Sequence, residues 1–493
     1  MHHDRTRPAS LELDHAACYR ALRQRDGRFD GRFFTGVTTT GIYCRPICPA
    51  RTPLSKNVIF FPTAAAAQEA GFRPCLRCRP ETAPDLGAWR GTSNTVSRAL
   101  SLIEHGALDD AEVDALAGRL GVGERQLRRL FRQHLGASPV AVAQTRRVLL
   151  AKQLIHETRL PMTEVAFAAG FGSIRRFNET FQQLFGRSPR ELRRTAGPEF
   201  SAAAAGELTL LLRYHPPYDW DAMIAFLRQR AIAGVEHITG RLYARTLQLD
   251  GLTGTVTVEP AAEGNALRAT VRFPKLSALP GIIARLRRVF DLGADPLAIA
   301  AHLAKDPTLA PLVKARPGLR VPGAWDGFEL AIRAVPGQQI TVVAAARLAG
   351  RMVAAYGEPL SSRHEPLTHV FPRPEVIAAA DLASLGMPRS RSAALSAVAA
   401  AAVADPHVFD ANCGLDDAVK RLRAIRGVGE WTAQYIALRQ LREPDAFPAA
   451  DLGLLRAIAG REGRKHSSSE LLDRADAWRP WRAYAAQHLW AAA

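Results

Sequence analysis

The sequence contains no apolar run near the roughly 20 residues that a membrane-spanning helix needs, and its N-terminus, MHHDRTRPAS, has no hydrophobic signal core. Cysteine is scarce, with six residues in 493, four of them between positions 44 and 78. This usage excludes the disulfide framework of a small secreted protein and indicates a metal site. Acidic residues are outnumbered, 47 against 65 Lys and Arg, which gives a formal charge of +18. We therefore expect a cytoplasmic protein with a polyanionic partner: nucleic acid is the first candidate and an anionic membrane surface the second.

The length of 493 residues predicts several domains, because one core rarely grows so large. Gly, Pro, Ser and Ala interrupt the periodic pattern at 81–94 and again at 195–207, and both stretches are interpreted as linkers. From 207 to about 275, strand-like segments surround the helical pattern DWDAMIAFLRQRA, which predicts an α+β subdomain. Beyond about 280, Ala- and Leu-rich helical patterns continue to the last residue.

An internal repeat occupies the segment between the two linkers. LGVGERQLRRLFRQHLGASP (120–139) is echoed by AGFGSIRRFNETFQQLFGRSP (169–189), and Phe131 and Gly136 recur as Phe181 and Gly186 at an offset of 50 residues. Each copy fits a helix-turn-helix, with a turn glycine followed by a helix rich in polar and basic residues. Two copies of one DNA-binding unit are predicted, each laying its second helix in the major groove. The alternative is a helical bundle whose arginines are only solvated.

Four cysteines have the spacing of a zinc site. Cys44 and Cys48 form a C-x3-C turn, and after 26 intervening residues Cys75 and Cys78 form a C-x2-C turn. Two short chelating turns supply four thiolates, which suits tetrahedral Zn²⁺. Spacing alone favours a structural zinc ribbon over a reactive site. Cys18 and Cys413 lack partners in the sequence and are interpreted as packing residues.

The residues around these cysteines carry a resemblance to a known family. FFTGVTTTGIYCRPICPARTP, followed by NVIFFPTAAAAQEAGFRPCLRCRPE, resembles the zinc domain of the bacterial adaptive-response protein Ada. The resemblance implies that Cys44 is both a zinc ligand and the acceptor of a methyl group from DNA methylphosphotriesters. Cys48, Cys75 and Cys78 are then the remaining ligands. The P-C-H-R motif of the alkylguanine methyltransferase domain that usually ends an Ada protein is absent, so O6-methylguanine reversal is not expected.

The second copy of the repeat, EVAFAAGFGSIRRFNETFQQLFGRSPRELRR, resembles the AraC-type DNA-binding domain, which follows the zinc module in Ada proteins. The resemblance implies a regulator bound at promoter sites, with RNA polymerase as a further candidate partner. Candidate contacts to bases and phosphates lie on the two second helices: Arg125, Gln126, Arg128, Ser173, Arg175, Arg176 and Asn178. Sequence alone leaves open which of them contact bases and which contact phosphates.

The segment LRAIRGVGEWTAQYIALRQL (422–441) has the pattern of a helix-hairpin-helix. Without side chains at Gly427 and Gly429, the backbone can approach a DNA phosphate, and the N–H groups of the following helix favour the anion. Asp451 follows in DAFPAADLGLLRAI, just before an apolar helix. By itself this aspartate could serve only as a helix N-cap.

Together, the hairpin, Asp451 and the stretches VPGAWDGFELAIRAVPGQQITVVAAARLAGRMVAAYGEPL and WRPWRAYAAQHLW resemble AlkA-type helix-hairpin-helix DNA glycosylases (3-methyladenine-DNA glycosylase II) over about 207–493. The resemblance implies that Asp451 is the catalytic carboxylate and that Trp431, Tyr435 and Trp490 line the base pocket. Gln339 stands where the family inserts a wedge into the vacated base stack. The position two residues after the second hairpin glycine is Trp431 rather than the lysine of strand-cutting glycosylases, which implies base removal alone.

We therefore predict a multidomain α+β protein divided as 1–85 (zinc and methylphosphotriester-acceptor domain), 90–195 (double helix-turn-helix), 205–318 (TBP-like α+β subdomain) and 319–493 (mostly α helix-hairpin-helix glycosylase). The expected function is hydrolysis of the N-glycosidic bond of alkylated bases of the 3-methyladenine and 7-methylguanine type, joined to a methyl-accepting transcriptional regulator. The expected cofactor is one Zn²⁺. The expected partner is alkylated double-stranded DNA rather than a membrane, and the protein is expected to associate with the nucleoid. The alternative is a transcription factor whose glycosylase-like half is catalytically idle.

Overall fold

The computed structural model describes residues 13–84, 95–109, 111–194, 207–262, 264–337, 340–364, 366–411 and 413–492. The described residues up to 194 form one compact unit, and nearly all of those from 207 onward form a second. Each unit combines a small sheet with helices, so the predicted multidomain α+β class is confirmed. Most of both predicted linkers, 81–94 and 195–207, lies outside the described residues.

A four-stranded sheet in the order β3-β1-β2-β4 is the scaffold of the N-terminal part. Its elements are α1 (His15–Gln24), β1 (Phe34–Val37), β2 (Ile42–Cys44), β3 (Val58–Phe61), α2 (Ala64–Glu69) and β4 (Arg73–Pro74). β1 pairs antiparallel with β2 and β3, whereas β2 and β4 are parallel, with Tyr43 opposite Pro74. The parallel pair brings the end of β2 beside the second cysteine turn.

Gly36 lets aromatic side chains close over this sheet. A Cβ at Gly36 would lie 2.7 Å from the ring of Phe61 and 3.0 Å from that of Phe72. Both rings pack in the cluster that contains the fully buried Tyr43. A core this small gives limited stability, so a bound metal is a substantial part of what holds such a domain together.

Seven helices follow in the first unit, and they contain the predicted repeat. They are α3 (Thr95–Glu104), α4 (Val113–Arg119), α5 (Glu124–Leu135), α6 (Pro139–Glu157), α7 (Met162–Ala168), α8 (Ile174–Phe185) and α9 (Pro189–Arg194). The turns between α4 and α5 and between α7 and α8 contain Gly121 and Gly170, whose φ angles of +67° and +87° favour glycine. The second helices, α5 and α8, are separated by the 50 residues of the sequence repeat, so both helix-turn-helix copies are confirmed.

The second unit begins with a five-stranded antiparallel sheet in the order β5-β9-β8-β7-β6. Its elements are β5 (Glu207–Arg213), α10 (Trp220–Arg230), β6 (Glu236–Thr239), β7 (Leu242–Leu249), β8 (Leu252–Pro260) and β9 (Ala266–Arg272). The sequence pattern predicted four of these strands and the helix. It missed β6, a short edge strand with little alternation.

The rest of the second unit is mainly helical, as predicted. The helices are α11 (Leu279–Val289), α12 (Pro296–Leu303), α13 (Ala310–Ala315), α14 (Gly327–Gly337), α15 (Val342–Tyr356), α16 (Pro374–Ala379), α17 (Arg389–Ala404), α18 (Leu415–Arg423), α19 (Glu430–Arg439), α20 (Leu452–Glu462), α21 (Ser468–Ala475) and α22 (Arg482–Trp490). An antiparallel pair that the sequence did not reveal, β10 (Pro359–His364) and β11 (Leu367–His369), interrupts them. It forms because Leu360 and Leu367 pack against Ala244 of β7, a partner distant in sequence. Among the described residues, no helix has both the length and the apolar character to cross a bilayer.

The repeat makes a direct prediction about stability. Phe181 is fully buried, with ring centroids 4.9 Å from Phe177 and 5.4 Å from Phe185. Phe181→Ala should lower the free energy of unfolding of the helix-turn-helix part by about 3–5 kcal/mol, because it leaves a cavity. Loss of hydrogen-exchange protection in α8 measures this. Phe167→Ala is the matched control, since Phe167 is 47% exposed; equal effects of the two substitutions would contradict the assignment of Phe181 to the core.

Candidate functional sites

The four predicted cysteine ligands meet at one end of the N-terminal sheet. Cys44 ends β2, and a turn closed by the Cys48 N–H on the Arg45 carbonyl (3.1 Å) brings Cys48 back beside it. The Cys75 N–H donates to the Tyr43 carbonyl at 3.0 Å, which docks the second turn against the first. The four Sγ atoms, including that of Cys78, lie within 4.8 Å of one another. Tetrahedral zinc with Zn–S bonds of about 2.3 Å separates its sulfurs by about 3.8 Å, so the thiolates fit one Zn²⁺.

Cys44 differs from the other three ligands. Backbone N–H groups of Arg45 and Arg77 donate to the sulfurs of Cys78 (3.3 Å) and Cys75 (3.4 Å), and the Ala50 N–H donates to the sulfur of Cys48. Across the described ranges no backbone N–H donates to the Cys44 sulfur. Cys44 is also half-buried, while its partners are 6–7% exposed. A thiolate that accepts fewer hydrogen bonds and remains accessible is the more reactive nucleophile.

The cavity beside Cys44 combines apolar and cationic surface. It has a volume of about 340 Å³, and its lining includes Arg51, Arg73 and Arg77 among apolar side chains. Apolar surface suits an alkyl group, and guanidinium groups suit phosphate oxygens. The cavity is therefore compatible with an alkylated phosphate.

Arg45, which was not predicted as a site residue, stabilises the zinc site by linking Asp30 to the backbone of Cys78. Its Nε donates to Asp30 Oδ1 at 2.8 Å, and its Nη1 donates to the Cys78 carbonyl at 3.1 Å. One signal in the sequence points to Arg45, the Arg-Pro pair inside the first cysteine turn. It could not show the contact with Cys78, which comes from the other turn.

The two remaining cysteines are separate from the zinc ligands. Cys18 is buried and packs with Ala21 and Phe33, and this burial, with a smaller contribution from Asp14, raises the pKa of its thiol to about 11. Cys413 is partly exposed and lies outside the four-cysteine cluster.

All seven predicted helix-turn-helix contacts are exposed, and they lie on α5, on α8 and at the N-cap of α8: Arg125, Gln126, Arg128, Ser173, Arg175, Arg176 and Asn178. Some already have partners. Arg128 donates to Glu124 and Arg175 donates to Glu179, both at 2.8 Å, and the Ser173 hydroxyl caps α8 by accepting from the Arg176 N–H at 3.2 Å. These exposed ion pairs hold the guanidinium groups only weakly.

The helix-hairpin-helix consists of α18, a tight turn and α19. Gly427 and Gly429 are both exposed, and Gly429 is the N-cap of α19. Gly427 has φ +88°, and a Cβ there would lie 2.3 Å from the Cβ of Ala394 on α17. The glycine at 427 is thus required by packing within the protein, whereas Gly429 has open space in front of it.

Asp451 lies at the centre of the second predicted site. It is the N-cap of α20, and its Oδ1 accepts from the Leu454 N–H at 3.0 Å and from Trp490 Nε1 at 2.9 Å. Its Oδ2 accepts from Trp431 Nε1 at 2.8 Å. The carboxyl group is partly exposed. The carboxylate caps α20 and contacts the two indoles at the same time. Its role as an N-cap therefore does not exclude the proposed role as a catalytic carboxylate.

Trp431, Tyr435 and Trp490 surround this carboxylate. The Trp431 and Tyr435 rings are stacked, with centroids 5.1 Å apart and planes at 9°, and Trp490 lies edge-on to Tyr435 at 6.4 Å. All three side chains are partly exposed. Gly453 makes room for this arrangement, because a Cβ there would lie 2.9 Å from Asp451 Oδ1 and 3.4 Å from Trp490 Cδ1.

The sequence did not reveal a cluster of arginines beside Tyr435, behind the aromatic wall formed by Trp431, Tyr435 and Trp490. Arg439 Nη1 donates to the Tyr435 hydroxyl at 2.7 Å. The Arg230 and Arg439 guanidinium groups lie 3.7 Å and 4.8 Å from the centre of the Phe226 ring. Burial would raise the pKa of the Tyr435 phenol, but Arg439 and Arg230 outweigh burial and lower it. Arg439 follows Tyr435 by one helical turn and was detectable, whereas Phe226 and Arg230 are remote in sequence.

Gln339, the predicted wedge residue, lies outside the described residues.

Four family models match consecutive parts of the chain. They are described as the metal binding domain of Ada (17–81), a helix-turn-helix domain (116–195), the AlkA N-terminal domain (209–326) and the HhH-GPD superfamily of base excision DNA repair proteins (332–483). The first match contains the zinc cluster and the last contains the helix-hairpin-helix and Asp451.

Similar proteins cover the whole chain or its second half. A "Probable bifunctional transcriptional activator/DNA repair enzyme AlkA" of Mycobacterium tuberculosis is 43% identical over 97% of this chain and 96% of its own length. The DNA-3-methyladenine glycosylase 2 of Escherichia coli is 35% identical over 57% of this chain and 95% of its own length. The solved structure of a 3-methyladenine DNA-glycosylase from Archaeoglobus fulgidus has a TM-score of 0.51 at 21% identity, over 58% of this chain and 97% of its own, which is a likeness of fold.

The order of the four matched domains agrees with the geometry of the two sites, and the mycobacterial similarity extends over nearly the full length of both proteins. The chain therefore belongs to the family of bifunctional transcriptional activator/DNA repair proteins of the AlkA type, in which an Ada metal-binding domain and a helix-turn-helix domain precede a helix-hairpin-helix glycosylase domain.

Proposed function

We propose that this protein is a monofunctional DNA glycosylase for alkylated bases, joined to a regulator that accepts a methyl group from DNA methylphosphotriesters. The Asp451 carboxylate, held by two indole N–H groups in an aromatic pocket, carries the enzymatic part of the proposal. The proposal keeps the four segments predicted from the sequence, 1–85, 90–195, 205–318 and 319–493. Its substrate is chromosomal DNA, so the protein would work at the nucleoid in the bacterial cytoplasm.

The chemistry of the substrate explains the composition of the pocket. A base alkylated at N3 or N7 is cationic, so when the C1′–N bond breaks, its electron pair leaves with the base and makes the base neutral. Positive charge then develops on the sugar as an oxocarbenium ion. The faces of Trp431, Tyr435 and Trp490 attract the cationic base before this step. The E. coli relative named for 3-methyladenine supports this substrate class.

Asp451 acts on the sugar rather than on the base. Its carboxylate stabilises the oxocarbenium ion and accepts a proton from the water that attacks C1′, which completes the hydrolysis. The indole N–H groups of Trp431 and Trp490 fix the orientation of both carboxylate oxygens, at 2.8 and 2.9 Å. The target nucleotide must first leave the stack, which costs least for damaged, weakly paired bases.

The residue that would make the enzyme cut the strand is replaced by a pocket residue. A nucleophilic amine is needed to form a covalent link with the sugar, and position 431 holds an indole that donates to Asp451 instead. The reaction therefore ends at an abasic site. Gly429 and the N–H groups that begin α19 supply a phosphate contact without reading the sequence.

Cys44 is the proposed methyl acceptor because its sulfur is the accessible one and receives no backbone hydrogen bond within the described part of the chain. Zinc, when bound, keeps the thiolates deprotonated at neutral pH. The Cys44 sulfur attacks the methyl carbon, the C–O bond breaks, and its electron pair stays on oxygen. The products are a cysteine thioether and an ordinary phosphodiester anion.

Methyl transfer changes the charge facing the DNA. With Zn²⁺ bound, the four thiolates give the site a net charge near −2. The net charge becomes about −1 when one sulfur turns into a neutral thioether. Repulsion of each phosphate at about 10 Å falls by about 0.4 kcal/mol in water and several-fold more at protein-like dielectric. A few phosphates together shift DNA affinity about tenfold or more. Tighter binding by the helix-turn-helix pair at a promoter, with RNA polymerase as a partner, would make methylation a transcriptional signal.

The enzymatic proposal is tested by Asp451→Asn. Asparagine still caps α20 and still offers an oxygen to one indole, so the fold should persist, but the negative charge is gone. We expect release of 3-methyladenine from alkylated DNA to fall about 100- to 1000-fold under single-turnover conditions. Asp473→Asn, on an exposed surface of α21, is the control and should release base at the wild-type rate. Equal release by the Asp451 variant and the wild type would contradict this mechanism. No release by the wild type would favour the alternative, a transcription factor whose glycosylase-like half is catalytically idle.

The acceptor is tested by peptide mass mapping after the full-length protein reacts with duplex DNA that carries methylphosphotriesters. The peptide containing Cys44 should gain one methyl group, and Cys44→Ser should gain none. Cys413→Ser is the control and should react like the wild type, because that thiol is not a zinc ligand. A methyl group on Cys75 or Cys78 would overturn the assignment.

A further inference from the structure

A buried lysine of the helix-turn-helix part has its charged end inside the zinc module. The Lys152 side chain, on α6, is fully buried, and its Nζ donates to the Cys75 carbonyl at 2.9 Å and to Glu81 Oε2 at 2.7 Å. The Glu81 side chain is equally buried. Cys75 is a zinc ligand, so a cation from α6 is bonded to the backbone of the metal-binding turn itself.

The contact extends to the end of α6 through a second cation. Arg79, one residue after the last zinc ligand, donates to Glu81 Oε1 at 3.1 Å and to Glu157 Oε1 at 3.3 Å. The Glu157 side chain is 1% exposed. Buried charges are tolerated only when they are paired, and removing one partner is strongly destabilising. The four alternating charges of Lys152, Glu81, Arg79 and Glu157 therefore stabilise the arrangement in which each is paired.

The other end of α6 is attached to the zinc module as well. Glu69, the last residue of α2, accepts from the Ser138 hydroxyl at 2.9 Å and from Arg132 of α5 at 2.8 Å. Thr63 donates to the Leu135 carbonyl at 2.8 Å. Between the two polar ends, small buried side chains of α2 pack against the start of α6 with Ala137. The zinc module is thus fastened along the length of the helix.

The position of α6 gives these contacts a functional consequence. α6 follows the recognition helix α5 of the first helix-turn-helix copy and precedes α7 and α8 of the second. A module fixed to α6 is consequently fixed to the helix that joins both copies.

We propose that the zinc module and the helix-turn-helix pair bind DNA as one rigid body, and that Lys152 is the positioning residue that holds the methyl-accepting turn in register with the recognition helices. The inference rests on the proposed role of Cys44 as acceptor. Contacts of α8 with phosphates then help to hold a methylphosphotriester at Cys44. With a rigid connection, the second contact forms at a high effective concentration, which a flexible connection would lower.

A double-mutant cycle tests the coupling. The readout is the second-order rate of Cys44 methylation, followed by intact mass, in full-length protein mixed with a duplex that carries a single methylphosphotriester. One arm removes two cations of α8 with Arg175→Gln and Arg176→Gln, which lie away from the zinc module. The other arm weakens the attachment with Lys152→Met or, separately, with Glu69→Ala at the far end of α6. Zinc content and hydrogen exchange of α6 report whether each variant is folded.

In the wild-type background, loss of the two α8 cations should slow methylation about tenfold, as expected for two lost phosphate contacts. In the Lys152→Met background the same pair should cost less than about threefold, and Glu69→Ala should give an intermediate factor. Lys152→Arg should restore the wild-type factor, because a guanidinium can donate to both Cys75 and Glu81. Lys305→Met, which removes an exposed charge from the second unit, should leave the factor at about tenfold.

Each outcome of this experiment either supports or overturns the proposed coupling. A purely structural role for Lys152 would slow all rates together and leave the tenfold factor of the arginine pair unchanged, which overturns the proposal. If Lys152→Met loses zinc, the Glu69→Ala arm still measures the coupling, and an unchanged factor there overturns the proposal. Absence of methylation in every variant, including the wild type, refutes the acceptor role of Cys44 and is distinguishable from failure of the coupling.

Discussion

Both sites of this protein must bring negative charge close to a polyanion, and the structure meets that constraint by surrounding each anion with fixed donors. The Asp451 carboxylate accepts from two indole N–H groups and from the first turn of α20, whose N-terminal dipole favours an anion. None of these donors is a full positive charge. Within the described part of the chain, the carboxylate is therefore stabilised without an ion-pair partner, which leaves its charge available to an oxocarbenium ion in the proposed mechanism.

The zinc site also surrounds its anions, the four thiolates, with fixed donors, but the donors are distributed unevenly among the four sulfurs. Three of its sulfurs, those of Cys48, Cys75 and Cys78, receive backbone N–H donors, and Arg45 and Lys152 place cations on the carbonyls of Cys78 and Cys75. The stabilisation thus falls mainly on the C-x2-C turn. Cys44 lies at the end of a strand and lines a cavity, and its sulfur receives no backbone donor within the described ranges. The proposed acceptor is thus the sulfur that the backbone stabilises least.

The sequence predicted what local spacing encodes. The cysteine turns, the 50-residue repeat and the hairpin before Asp451 are short-range patterns, and the structure has an element at each of them. It could not predict contacts made by elements far apart in the chain. Arg230 reaches Tyr435, and Phe226 contacts Arg439, from a helix some 200 residues earlier. Lys152 meets Glu81 only because α6 lies along the zinc module. Gly427 illustrates a different limit: the motif predicts this glycine as a place where DNA approaches the backbone, whereas the close neighbour that requires it within the protein, Ala394, is invisible in the motif.

The contribution of α10 to the pocket explains why the second unit keeps costly buried charges. α10 reaches Tyr435 only if the five-stranded sheet is held in one position against the helical part. Arg245 of β7 donates to Glu329 of α14 at 2.8 Å, with both side chains about 3–4% exposed, and Arg333 of α14 pairs with Glu236 of β6. An apolar interface of similar volume could match or exceed the stability of such pairs, so their role follows from their geometry rather than from stability. Ion pairs with one bonding geometry fix the register of sheet and helix, and therefore the position of Arg230 behind the aromatic wall. The same logic holds for Lys152 in the first unit, where buried charge fixes the position of one part of the protein against another.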